Sequence, residues 1–79
     1  MKINVKLYGT LSRRFPGYRP DAGLELELPE GATTKDLLAL LGLSAVQGAV
    51  VIAAGRVLKA DDALPPGIPA QIFQSLSGG

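Results

Sequence analysis

Two short stretches in which an aliphatic residue occupies every second position set the terms for this chain. Ile3, Val5 and Leu7 alternate with Asn4, Lys6 and Tyr8, and Leu24, Leu26 and Leu28 alternate with Glu25 and Glu27. Period two is the repeat of an extended strand, whose successive side chains leave opposite faces, so each stretch buries one face and shows the other to solvent. A sheet with one apolar side is required, and something must cover that side. With 79 residues there is room for one domain with one small core.

The cover is supplied between and after these strands. Thr10 is placed to cap a short helix in which Leu11 and Phe15 share a face, ended by Pro16-Gly17, with Arg13 and Arg14 on its solvent side. Residues 18–23, with Pro20, Asp21 and Gly23, read as an irregular loop. After Pro29-Glu30-Gly31, Thr33 and Asp36 form an approximate capping box for the main helix. Leu37, Leu38, Leu40 and Leu41 give that helix a broad apolar stripe, and Gly42 is suited to end it. A connector, residues 43–48, leads to the nearly all-apolar residues 49–53, expected as a central strand. Ala54-Gly55 turns the chain into a returning strand, residues 56–59. Leu64 anchors the next loop, and residues 70–73 make the last strand, in which Ile72 inward places Phe73 outward. The fold class expected is α+β, a mixed sheet of four or five strands with one main helix packed on one face. If the last strand lies beside the first, Tyr8 and Phe73 meet on the open face, with Val57 or Leu58 nearby.

The inventory of side chains excludes several classes of chemistry. There is no cysteine and no histidine, so thiolate zinc sites, cysteine nucleophiles and imidazole proton shuttles are absent. Glu25 and Glu27 lie side by side on a solvent face, and Asp61-Asp62 lack a third ligand type, so neither pair reads as acid/base or metal machinery. Eight basic and seven acidic residues give a net charge of +1, without the basic patch of a nucleic-acid binder. No apolar run is long enough to span a membrane, and the opening residues lack the basic region, hydrophobic block and small-residue cleavage site of a signal peptide. A soluble cytoplasmic domain, without cofactor, is expected. What remains is the chain end. Gly78 and Gly79 carry no side chain, so backbone ending in them can thread a slot too narrow for any Cβ.

The residues together resemble a known family. The opening residues 2–11, the Leu-Pro-Glu-Gly-Ala-Thr at Leu28 to Thr33 leading into Asp36-Leu37-Leu38, and the hairpin ending Gly55-Arg56 are similar to the MoaD/ThiS family of ubiquitin-like β-grasp sulfur carriers. Asp62-Ala63-Leu64 followed by Pro-Gly, and Phe73 with the closing Gly78-Gly79, extend the resemblance over essentially the whole chain. Within the family it is greatest to the small subunit of molybdopterin synthase. Where the family often has Asp-Gly-Asp and Phe-Pro-Pro-Val, this chain has Pro66-Gly67-Ile68 and Phe73-Gln74-Ser75-Leu76, and Ala54 stands where an asparagine is frequent.

The resemblance implies a β-grasp domain over residues 1–73 and a flexible tail over 74–79. It implies adenylation of Gly79 by a ubiquitin-activating-type enzyme (MoeB/ThiF-like), then conversion to a thiocarboxylate, with Gly78 and Gly79 as the threading pair. The second partner would be the large subunit of molybdopterin synthase or another sulfur-accepting enzyme. The chain itself would be a noncatalytic carrier, docking through Tyr8, Leu58, Phe73 and Leu76. A carrier for thiamine thiazole, cysteine or another sulfur metabolite, a ubiquitin-like protein modifier, and a plain interaction module are the alternative readings.

Overall fold

The computed structural model describes residues 1–43 and 48–74. Five strands, β1 (Lys2–Leu7), β2 (Leu24–Glu27), β3 (Ala49–Ala53), β4 (Arg56–Leu58) and β5 (Ala70–Gln74), form one mixed sheet in the order β2-β1-β5-β3-β4. Among the described residues only the β1–β5 pair is parallel. A 3-10 helix, Gly9–Arg14, follows β1, and α1 (Thr34–Leu40) follows β2. The last strand thus lies in the middle of the sheet, between β1 and β3, and β3 is one place from the edge rather than central.

One side of the sheet carries the core. Ile3, Val5 and Leu7 of β1, Val51 of β3 and Ala70 and Ile72 of β5 are buried together with Leu11, Leu28, Leu37, Leu43 and Leu64. Leu38 and Leu41 pack against this cluster, whereas Leu40, expected within the stripe, is 54% exposed. A stripe centred on Leu37, Leu38 and Leu41 leaves Leu40 about a third of a turn away, at the rim of the helix. The 3-10 helix begins one residue before the expected cap: Tyr8 holds the cap position without a side-chain bond, and Thr10 lies inside the helix. Leu11 is fully buried as expected, and Phe15, at the helix end, is partly buried against the core.

The start of α1 is satisfied by its neighbours. Thr33 and Asp36 form the expected capping box, with Asp36 Oδ2 accepting from Thr33 N at 2.9 Å and Thr33 Oγ1 accepting from Asp36 N at 3.3 Å. Thr34 N and Lys35 N donate to the carbonyls of Asp62 and Ala60, so the loop after β4 takes up donors that a helix of seven residues leaves unpaired. Bonds to Thr33 hold the Asp36 carboxyl below the usual carboxylate range. A carboxyl depressed in the folded state adds stability that is complete above its unfolded pKa and is lost as pH falls through the folded one. Asp36→Asn is therefore expected to flatten the acid side of the stability profile in chemical denaturation, leaving the slope at neutral pH unchanged; an acid limb identical to the wild type would show that the box does not titrate with folding.

The β3–β4 hairpin turns on Ala54 and Gly55, both at positive φ, 54° and 74°. A two-residue hairpin loop of this hand demands that conformation twice, and alanine adopts it at a cost. Ala54→Asn is expected to stabilise the domain by about 0.5–1 kcal/mol, read as a rise in Tm. A lower Tm would show that the turn relies on the alanine methyl instead.

Candidate functional site

The sheet face opposite the core has two unlike halves. Across β1 and β2 it is polar: Asn4 opposes Glu25 and Lys2 opposes Glu27. Across β5, β3 and β4 it is largely apolar, because register carries Phe73 beside Val50 and Ile52 opposite Val57, with Gln71 the polar residue beside Ile52. Tyr8 and Phe73 close this apolar half at the end of β5, their rings stacked with centroids 4.5 Å apart and planes 14° from parallel. Tyr8 is 37% exposed and Val57 65%. Stacked aromatics left half open to solvent form a surface that a partner can desolvate at little conformational cost.

Tyr8 and Phe73 are brought together as the strand pattern predicted. Leu58 is not part of this face. It opposes the core residue Val51 and packs against the core, and its neighbour Val57 takes the outward position, because β4 pairs with β3 in a register that puts Leu58 on the buried side. Val50 and Ile52 were missed by sequence reasoning. Their signal was the unbroken apolar run of β3, which carries apolar residues on both faces. Leu76, Gly78 and Gly79 lie outside the described residues.

A hollow of about 170 Å³ opens beside the stacked rings, lined by Tyr8, Gly9, Thr10, Phe73 and Gln74. At its edge Thr10 Oγ1 donates to Gln74 Oε1 at 3.0 Å. A wider, shallow groove of about 590 Å³ lies between the loop after β2 and α1, lined by Leu28, Pro29, Ala39 and Leu40 with Glu27, Glu30 and Asp36 at its rim. Among the described residues no group of three Asp, Glu, His or Cys side chains is placed to hold a metal ion. Asp61 instead pairs with Lys35 at 3.6 Å, and Asp62 Oδ2 accepts from Lys59 N at 2.8 Å, so both have structural roles. No described helix is long and apolar enough to cross a membrane.

No protein-family model and no curated protein matches the chain. Among solved structures, it superposes on a protein of Pyrococcus furiosus described as a candidate molybdopterin converting factor, subunit 1, with a TM-score of 0.72 over 95% of this chain and 98% of that one, at 22% identity. SAMP1 from Haloferax volcanii superposes with a TM-score of 0.70 over 100% of both chains, at 19% identity. The fold is the ubiquitin-like β-grasp. In this β-grasp the helix layer covers the core face and the opposite face stays open, so the stacked pair and the end of β5 share one surface.

Proposed function

We propose that this β-grasp chain is a sulfur carrier whose Gly79 carboxylate is adenylated and then converted to a thiocarboxylate, acting in molybdopterin synthesis as the small, noncatalytic subunit of the synthase. The observation that carries this reading is the stacked Tyr8–Phe73 pair at the end of β5, one residue before Gln74. It puts an apolar docking face immediately ahead of the segment that ends in Gly78-Gly79. The similarity in fold to the Pyrococcus protein supports the molybdopterin assignment.

The chemistry asks little of the chain's own side chains. In a ubiquitin-activating-type enzyme a carboxylate oxygen of Gly79 would attack the α-phosphorus of ATP, and pyrophosphate leaves. A carboxylate resists nucleophiles because oxide is a poor leaving group; the acyl-adenylate accepts a hydrosulfide equivalent and AMP departs. In the large subunit of the synthase the thiocarboxylate sulfur would bond to the acceptor, and water would then cleave the acyl–sulfur bond, leaving sulfur on the acceptor and restoring the Gly79 carboxylate. A chain with neither cysteine nor histidine suits this division of labour, since the acid, base and metal groups belong to the partners. The β-grasp shared with SAMP1 is equally compatible with a second reading, a ubiquitin-like modifier in which the same activated carboxyl is passed to a lysine amine.

Incubation with an adenylating enzyme of this type, ATP and a sulfur donor is expected to add to the intact mass the difference between sulfur and oxygen. A mass unchanged under conditions that load an established carrier would sink the proposal, and isopeptide-linked lysines would favour the modifier reading. Phe73→Asp places a charge within the docking face and is expected to weaken binding to the activating enzyme by about 10- to 100-fold. Its Tm should move only slightly, because Phe73 lies outside the core cluster; unaltered affinity by calorimetry would remove the stacked pair from the interface.

A further inference from the structure

Three successive residues at the end of β5 are each held by the segment that follows β1. Tyr8 N donates to Ile72 O at 3.1 Å, the Tyr8 ring stacks on Phe73, and Thr10 Oγ1 donates to Gln74 Oε1. That segment is itself fixed. Gly9, at φ 64°, turns the chain into the 3-10 helix, the fully buried Leu11 pins the helix to the core, and Ser12 Oγ donates to Gly9 O at 2.9 Å. On the other side of β5, Ala49 of β3 stands in register with Gln74. Strand ends ordinarily fray, yet this one is gripped from both flanks, by a side-chain bond across 64 positions of sequence on one of them.

The geometry points to Thr10 as a positioning residue: with Gln74 it forms a latch that fixes the direction in which the chain leaves the sheet, and so aims Gly78-Gly79 at the activating enzyme while the Tyr8–Phe73 face is docked. This rests on the reading of Gly79 as the activated end. Docking and aiming are separable here. The rings supply the contact area, and the latch narrows the volume that the carboxylate explores once contact is made, which raises its effective concentration at the nucleotide. Loss of the latch should therefore slow the chemical step and leave binding unchanged.

The decisive variant is Thr10→Val, which keeps the side-chain shape and deletes the hydroxyl. Single-turnover adenylation of the full chain is expected to slow by about threefold to tenfold, the worth of one hydrogen bond, with KM for the carrier unchanged. Thr10→Ser should restore the rate, and Thr10→Val combined with Gln74→Leu should be no slower than either alone. In the free protein, backbone relaxation should show the order parameter of the Gln74 amide falling from roughly 0.85 toward 0.6 in Thr10→Val. An unchanged rate with a wild type that is loaded normally, a change confined to KM, or an unaltered Gln74 order parameter would each overturn the latch. A wild-type chain that no adenylating enzyme loads removes the carrier function and the aiming role with it, while the relaxation data still decide whether Thr10 restrains Gln74.

Discussion

Removing Gly79 is expected to abolish adenylation, slowing it by at least about 100-fold, while thermal unfolding stays where it is in the full chain. In-line attack needs the carboxylate oxygen within about 3–3.5 Å of the phosphorus. One residue of extended backbone spans roughly 3.3–3.6 Å, so a chain shortened by one glycine falls short by a full bonding distance when its body is docked. The core cluster among the described residues is assembled between Ile3 and Ile72, and a glycine brings no side chain that could add to it. Pyrophosphate release on mixing the truncated chain with enzyme and ATP measures the first effect and calorimetry the second. A truncated chain adenylated at the normal rate would show that docking does not fix the register of the end.

The second large effect concerns the body. Gly23→Ala is expected to destabilise the domain by about 2–4 kcal/mol, which for a domain of this size lowers Tm by roughly 4–8 °C per kcal/mol. Gly23 precedes β2 at φ 69°, a conformation that a Cβ disfavours. An added Cβ would also sit 2.8 Å from the Val5 carbonyl oxygen and 2.9 Å from Asn4 Oδ1. The Val5 carbonyl cannot withdraw, because Val5 is fully buried and pairs with Leu24 on one side and Ala70 on the other. Asn4 is held too, its Nδ2 donating to Ala22 O at 2.9 Å. Thermal and urea unfolding of the variant measure the loss; a Tm within a degree or two of wild type would mean the loop before β2 can shift freely.

Much of this arrangement was legible in the sequence, for identifiable reasons. β1 and the capping box of α1 follow from patterns only a few residues long, period two in one case and Thr33 with Asp36 in the other, and such local patterns survive folding unchanged. The meeting of Tyr8 with Phe73 followed once β5 was placed beside β1, because parity alone decides which side each residue takes. Leu58 and Leu40 were misplaced because neither is determined locally. The register of the three-residue strand β4 turns on the Ala54-Gly55 loop, and in a helix as short as α1 the centre of the buried stripe depends on where the sheet lies beneath it. Thr10 reads from sequence as a helix cap because threonine before a helical pattern ordinarily is one; its bond to Gln74 depends on tertiary placement that no local pattern encodes.

The position of β5 has a further bearing on how the molecule comes into being. The strand that completes both flanks of the sheet is the last of the five to leave the ribosome. Until it arrives, β1 and β3 each present a bare, apolar edge, a state prone to aggregation. Nascent or nicked chains that stop before Ala70 therefore have no stable sheet to adopt, and proteolysis would clear them. A folded body therefore certifies that synthesis has run at least through β5.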